Sequence, residues 1–197
     1  MQPAKLLHVS EAEYLTGEAL SQIKHEYLDG HVYAMSGGTR NHAEIAGNVF
    51  GLLHTHLRGR PCRVFNSDLK VHIAEYNRYY YPDVTVTCDA RDLAPPGTGQ
   101  FIEHPSVIVE VLSPTTESTD RREKLLAYQT LPSVQEYVLI DQMRPWIEVF
   151  RRVPDGWLHE TQAEDGALHL QSVDLRASLA DIYANVEFPP PPDPLPQ

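Results

Sequence analysis

Hydrophobic positions along the chain follow two periodicities, one typical of helices and one typical of strands. Apolar residues at helical spacing between residues 43 and 57 predict a long helix that ends at Gly59 and Pro61. Either Thr39 or Asn41 is expected to cap the start of this helix. Shorter helices are predicted near both ends and in the second half of the chain, at residues 10–20, 120–131 and 178–183.

Strand-like segments lie between these helices and are rich in β-branched and aromatic residues. Asp29-Gly30 predicts a hairpin near the N-terminus, and Pro154-Asp155-Gly156 predicts another near the C-terminal end. Further strands are predicted at residues 63–65, 69–73, 83–87, 107–112 and 136–141. The order of elements predicts an α/β fold, a mixed β-sheet flanked by helices with hairpins added at both ends. We expect a single domain at residues 1–188 and an extended, Pro-rich tail at 189–197.

Two acidic residues interrupt the most apolar of these segments. Asp83 lies in the run Tyr79–Thr87, directly after Pro82, and Glu110 lies in the run Ser106–Leu112. Acidic residues are rare in such strands, because burial of an unpaired carboxylate is costly. A divalent metal is the simplest shared purpose, since one or two carboxylates are enough to anchor Mg²⁺. Asp83 and Glu110 are therefore predicted metal ligands, provided that their strands are neighbours.

Composition narrows the function classes. A chain of 197 residues suits one domain with a sizeable core. Its net charge of −11 disfavours an extended surface for binding nucleic acid, because such protein surfaces are normally basic. The N-terminus lacks the apolar core of a signal peptide, and no apolar stretch is long enough to cross a membrane. We therefore expect a cytoplasmic protein without a membrane partner. Cys62 and Cys88 are too few for a disulfide framework and are predicted to be buried thiols.

Common catalytic signatures are missing from the sequence. It contains no P-loop, no GxGxxG after a strand, no GxSxG elbow and no HExxH. These absences remove the common nucleotide-binding, α/β-hydrolase and zinc-protease interpretations.

The acidic residues belong to a longer pattern. Pro82-Asp83 is followed by Val-Ile-Val-Glu110-Val-Leu-Ser-Pro-Thr-Thr-Glu and then by Asp120-Arg-Arg-Glu-Lys124-Leu-Leu-Ala-Tyr. The chain thereby resembles a bacterial family of putative restriction endonucleases in the PD-(D/E)XK nuclease superfamily, from about Tyr14 to Ile182. The resemblance implies a restriction-endonuclease-like fold and Mg²⁺-dependent cleavage of DNA, with Mn²⁺ as a substitute. Because restriction enzymes of this type often cut both strands as dimers, we also expect a homodimer.

The active-site lysine departs from the superfamily pattern. That lysine normally stands two residues after the Glu, on the same side of the strand, and this position is Leu112 here. The resemblance implies that Lys124, on the following helix, replaces it. The alternative is that Lys124 only pairs with Asp120 on a solvated helix face. Lys70, in the strand before Asp83, is the reserve candidate.

Two further residues are candidates for the site. Glu26 precedes the first hairpin and is either a third catalytic carboxylate or a surface residue at a strand edge. Tyr128 lies one turn after Lys124, where a core tyrosine is a better interpretation than a substrate contact.

The leading hypothesis is a Mg²⁺-dependent endonuclease that hydrolyses DNA phosphodiester bonds. Asp83 and Glu110 would hold the metal, Lys124 would lie by the phosphate, and Glu26 would complete the catalytic set. One alternative is a degenerate nuclease fold that serves as a binding or assembly module, which the net charge and Leu112 favour. Another is a metal-dependent hydrolase of small phosphate esters, which would need a closed pocket where a nuclease needs an open groove.

Overall fold

The structure is a computed structural model that describes residues 8–95, 99–114, 116–163 and 166–188. Its helices are α1 (Glu11–Glu18), α2 (Arg40–His56), α3 (Glu117–Thr119), α4 (Leu125–Gln129) and α5 (Leu179–Ile182), and a π-helical turn (Asp120–Lys124) joins α3 to α4. Within these residues, no helix has the length and apolar character needed to span a bilayer. The predicted Pro-rich tail at 189–197 lies outside the described residues, and the single domain stays a prediction.

The strands form two mixed sheets and a small ladder. They are β1 (His25–Leu28), β2 (His31–Ala34), β3 (Arg63–Asn66), β4 (Lys70–Ile73), β5 (Arg78–Tyr80), β6 (Val84–Thr87), β7 (Phe101–Ile102), β8 (Pro105–Leu112), β9 (Glu136–Asp141), β10 (Trp146–Val153), β11 (Gly156–Ala163), β12 (Ala167–Leu170) and β13 (Leu175–Ser178). The first sheet has the order β2-β1-β5-β4-β7, the second has the order β11-β10-β9-β8-β6-β3, and β12 pairs with β13. Two of the strand pairs, β4–β7 and β8–β9, are parallel. The predicted α/β fold, with a mixed sheet, flanking helices and hairpins at both ends, is confirmed.

Local chemistry explains how the first elements begin and turn. A capping box between Ser10 and Glu13 opens α1, and the side chain of Thr39, rather than that of Asn41, caps α2. In the first hairpin, Asp29 and Gly30 both have positive φ values, 42° and 90°. These conformations are those of the tight turns that an Asp-Gly pair favours.

One predicted run divides between the two sheets. Within Tyr79–Thr87, β5 ends at Tyr80 in the first sheet, and β6 begins at Val84 in the second. Pro82 interrupts the run because it lacks a backbone N–H group for a ladder. Asp83 therefore lies where the chain crosses from one sheet to the other.

The second sheet is apolar on both faces. Val107, Val109 and Val111 of β8 belong to the core beneath α2, whereas Ile108 and Leu112 belong to the core that includes Tyr128. Side chains alternate along a strand, so the side chain of Glu110 shares the face of Ile108 and Leu112. This face is covered by the helix that follows β8.

The cysteine prediction is wrong. Cys62 and Cys88 form a disulfide, and Cys88 is exposed. The two residues flank the antiparallel pair of β3 and β6, in which Arg63 lies opposite Thr87, so the next pair outward is Cys62 and Cys88. Their separation of 26 residues in the sequence gives no hint of this pairing. Disulfides are uncommon in a reducing cytoplasm, so this bridge does not favour the predicted cytoplasmic location.

We expect the Cys62→Ser, Cys88→Ser double variant to lose about 2–4 kcal/mol of unfolding free energy under oxidising conditions, because the bridge restricts the unfolded chain. Urea denaturation with and without dithiothreitol measures the difference. The reduced wild-type protein is the control and should unfold together with the double variant. Equal midpoints for oxidised wild type and variant would show that the bridge does not form in solution.

Candidate active site

Asp83 and Glu110 are brought together by the antiparallel pairing of β6 and β8. Val84 lies opposite Val109, and the backbone N–H of Val111 donates to Oδ2 of Asp83 at 2.7 Å. Asp83, directly before β6, therefore lies beside β8, the strand that carries Glu110, as the metal hypothesis requires. Glu110 is only 4% exposed.

Lys124 reaches this point from the π-helical turn. Its ammonium is buried, and Nζ lies 3.1 Å from one carboxylate oxygen of each of three residues, Glu26, Glu110 and Asp120. The alternative that Lys124 pairs with Asp120 on a solvated face is thus half right, because the pair exists but both residues are buried. π-Helical turns are rare and occur often at functional sites. Here the turn carries both Asp120 and Lys124.

Glu26 also joins the cluster. It lies on β1, which is an inner strand between β2 and β5, so the edge-residue alternative does not apply. Besides its contact with Lys124, Oε1 of Glu26 accepts the backbone N–H of Tyr81 at 3.5 Å. The structure therefore brings Glu26 and Glu110 into contact with Lys124, and Asp83 lies directly before the neighbouring strand β6.

The remaining candidates have other roles. Leu112 is buried in the apolar core, and Nζ of the reserve lysine Lys70 donates to the hydroxyl of Tyr81 at 3.4 Å. Burial lowers the pKa of Lys70. Tyr128 is fully buried, as expected of a core tyrosine, yet its hydroxyl donates to Oε1 of Glu110 at 3.3 Å.

Two residues of the site are not predicted from the sequence. From the sequence, Asp120 is predicted only as a possible ion-pair partner of Lys124 on a solvated helix face. His42 lies in the first turn of α2, with Nε2 3.3 Å from Oδ2 of Asp83. The spacing from Asp120 to Lys124 is a usable signal for the first residue, but only the packing of α2 reveals the second.

The electrostatics of the cluster are dominated by burial and by negative charge. Burial raises the pKa of Glu110 well above its usual range. The charge of Lys124 opposes this effect, and the neighbouring carboxylates of Asp120, Asp83 and Glu26 add to it. Burial opposes ionisation of Lys124, but three carboxylates raise its pKa well above the usual value: Glu110, Glu26 and Asp120. When no cation is bound, Lys124 and Glu110 therefore each hold their proton more tightly than the free side chain does.

His42 experiences the same negative charge. Burial of its ring favours the neutral form, but the contact with Asp83 and the charges of Asp83 and Asp120 outweigh burial and raise the pKa of His42. When the ring is protonated, its charge offsets part of the negative charge of Asp83 and Asp120.

The residues present fit a hard divalent cation. The four acidic residues outnumber the single lysine, and Oδ1 of Asp120 is buried without a well-oriented hydrogen bond despite its ion pair with Lys124. Among the described residues, no three acidic, histidine or cysteine side chains are already grouped as a metal cage. Mg²⁺ does not need one, because it keeps several waters and binds through one or two carboxylates. Asp83 and Glu110 offer that minimum.

Two cavities lie away from this cluster. One, of about 320 Å³, is lined mostly by residues of β10, β11 and β12, and the other, of about 560 Å³, surrounds Arg152 and Trp157. Neither is lined by Asp83, Glu110 or Lys124. They therefore give no support to a closed pocket for a small phosphate ester at this site.

Comparison with known families agrees with this architecture. Residues 11–186 match the Uma2 family, which is described as putative restriction endonucleases. The chain belongs to the Uma2 family. The match covers all the site residues named above, from Glu26 to Tyr128.

Two proteins of Synechocystis sp. PCC 6803 are similar over most of this Uma2 chain. The uncharacterized protein slr1290 is 40% identical over 181 residues, which cover 91% of this chain and 94% of the relative. The uncharacterized protein sll1609 is 34% identical over 151 residues, which cover 76% and 85%. Both relatives are thus matched along most of their length.

A crystal structure shares the fold of this Uma2 protein. A putative nuclease belonging to DUF820 from Anabaena variabilis superposes with a TM-score of 0.73 at 20% identity. The match covers 89% of this chain and 97% of that one. The restriction-endonuclease-like architecture predicted from the sequence is therefore confirmed.

Proposed function

We propose that this Uma2 protein is a Mg²⁺-dependent endonuclease that hydrolyses DNA phosphodiester bonds, with Mn²⁺ as a substitute. The observation that carries the proposal is the buried ammonium of Lys124, which contacts Glu110 on the strand beside Asp83. A buried lysine among acidic residues is costly to fold. Such a cluster is well suited to bind a metal and a phosphate, and the family supports a nucleic-acid substrate.

Each residue has a role that follows from its contacts. Asp83 and Glu110 would hold the cation, which supplies an acidified water and neutralises charge on the phosphate. Lys124 adds a fixed positive charge near the phosphorus, where negative charge develops during the reaction. Glu26 and Asp120 also contact the ammonium, so they would keep it charged and in place while Glu110 holds the cation.

The alternative of a binding or assembly module is favoured by the net charge of −11. Protein surfaces that bind nucleic acid are normally basic. An acidic nuclease would therefore depend on the cation, and on few contacts with phosphates, to bind its substrate. Against the alternative stands the ionic cluster itself. A module that only binds partners would be more stable with apolar residues in place of Glu110 and Lys124.

We also propose that the protein acts as a homodimer in the cytoplasm. Two antiparallel DNA strands require two sites with opposite orientation, and a two-fold dimer supplies them. In a reducing cytoplasm the bridge between Cys62 and Cys88 would be open, so the proposal does not depend on it.

The proposed function is tested by cleavage of supercoiled plasmid with Mg²⁺ or Mn²⁺. Asp83→Asn should lower the nicking rate at least about 100-fold, because loss of a group that merely supports a metal ligand already costs 10–100-fold. Asp155→Asn, in the exposed turn between β10 and β11, is the matched control and should cut normally. A wild-type protein that cleaves neither DNA nor RNA with either metal would sink the proposal and favour the binding module.

A further inference from the structure

His42 is held in place by contacts that extend beyond its own helix. The side chain of Thr39 caps α2 by accepting the backbone N–H of His42, and its hydroxyl donates to Gln142. Gln142 is 1% exposed and donates in turn to the backbone carbonyl of Leu112 at 2.7 Å. The first turn of α2 is thereby tied to the end of β8, the strand that carries Glu110.

The glycine before Thr39 makes room for the imidazole ring. A Cβ atom on Gly38 would lie 2.9 Å from Nδ1 of His42, which is closer than ordinary contacts allow. The ring therefore packs against the backbone of Gly38, and its Nε2 atom lies 3.3 Å from Oδ2 of Asp83.

Two groups of the protein contact Oδ2 of Asp83. The backbone N–H of Val111 donates to Oδ2 at 2.7 Å, and the imidazole of His42 contacts the same atom. Among the described residues, no hydrogen bond reaches Oδ1 of Asp83. Groups that support one oxygen of a metal-binding carboxylate orient the other oxygen and typically change metal affinity 10–100-fold when removed.

We propose that His42 is a positioning residue, which holds Oδ2 of Asp83 through Nε2 so that Oδ1 is free to bind the divalent cation. The inference rests on the metal site of the proposed function and extends it to α2. His42 itself does not touch the substrate. Its role is distinct from that of Lys124, which contacts Glu110 instead.

Titration of the metal-free protein with Mn²⁺, followed by the paramagnetic resonance signal of the free ion, tests the role without any nuclease assay. His42→Phe keeps a flat ring but has no N–H donor, so its Mn²⁺ affinity should fall about 10–100-fold. His42→Gln carries an amide N–H at a similar reach and should retain affinity within a few-fold of wild type. His42→Ala, which fits any backbone, should behave like His42→Phe.

His54→Phe is the matched control, because His54 lies on the same helix and is exposed. Thermal melting of every variant shows that the fold is kept. Wild-type affinity in His42→Phe or His42→Ala, or an equal loss in His42→Gln and His42→Phe, would overturn the positioning role. Absence of Mn²⁺ binding by the wild type would overturn this inference together with the metal site. If the expected pattern appears in a protein that cuts no nucleic acid, only the nuclease proposal fails.

Discussion

Replacement of Lys124 by methionine is expected to lower the cleavage rate about 10²- to 10³-fold while metal affinity is kept or increased. Loss of one fixed charge near the reacting group typically has a cost of this size. The metal ligands are untouched, and Oε1 of Glu110 loses the ammonium that now competes for it at 3.1 Å. Plasmid nicking and a Mn²⁺ titration on the same preparation separate the two effects. A parallel loss of metal affinity and rate would contradict the role given to Lys124.

Stability has to be followed in the same experiment. Removal of a buried cation that serves three carboxylates should destabilise the fold by about 3–5 kcal/mol. Lys124→Met combined with Asp120→Asn removes one of those carboxylates, so part of the stability should return. The cleavage rate should not return with it, which distinguishes a catalytic loss from a folding loss.

Lys70→Met is the matched control for the choice of lysine. Lys70 is also buried, but its ammonium contacts the hydroxyl of Tyr81 and not Glu110. Its replacement should leave the cleavage rate within a few-fold of wild type. A loss of rate in Lys70→Met and not in Lys124→Met would show that the reserve candidate is the catalytic lysine.

The parts of the site that the sequence predicts are those with a strong local signal. Acidic residues in apolar strands are unusual enough to reveal Asp83 and Glu110, and the resemblance to a nuclease family points to Lys124. The adjacency of β6 and β8 is a condition of that prediction and is not itself predicted, and the structure meets the condition.

Other parts depend on contacts between distant segments. His42 approaches Asp83 because α2 packs across the second sheet, and the cysteines pair because β3 lies beside β6. Neither relation has a fixed spacing in the sequence. The strands β7, β12 and β13 are also missing from the sequence prediction, and β5 is not separated there from β6, because Tyr79–Thr87 is predicted as one run. The π-helical turn is likewise hidden, because its residues have the composition of an ordinary helix.

Replacement of Glu110 by glutamine is expected to abolish metal binding and cleavage, yet to stabilise the metal-free protein above mildly acidic pH. Burial first, and then neighbouring negative charge, raises the pKa of Glu110 well above its usual value despite the opposing effect of Lys124. The neutral amide of glutamine resembles the protonated carboxyl group. In the wild type, Lys124 and Tyr128 donate hydrogen bonds to Oε1 of Glu110. The amide oxygen of glutamine can still accept both bonds.

The sign of the pH effect follows from linkage. Because the folded protein holds the Glu110 proton more tightly than the unfolded chain, stability is greatest below the unfolded pKa of about 4.3 and falls as the pH rises towards the folded pKa. The pKa of Lys124 is also raised, but its contribution is lost only above its unfolded value of about 10.4. The change in stability that Glu110 causes therefore begins at about pH 4.3, where free glutamate side chains ionise, and continues as the pH rises.

Urea unfolding in EDTA across this pH range measures the effect. The wild type should lose stability with rising pH more steeply than Glu110→Gln, and Glu75→Gln, at an exposed position, should follow the wild type. Added Mg²⁺ should stabilise the wild type increasingly as the pH rises, since the cation replaces the proton on Glu110, and should leave Glu110→Gln unchanged. Parallel pH profiles for wild type and Glu110→Gln would mean that the carboxyl group is already ionised without a cation. The acidic cluster would then be a structural feature stabilised by Lys124 alone, and the case for a metal-dependent nuclease would lose its electrostatic basis.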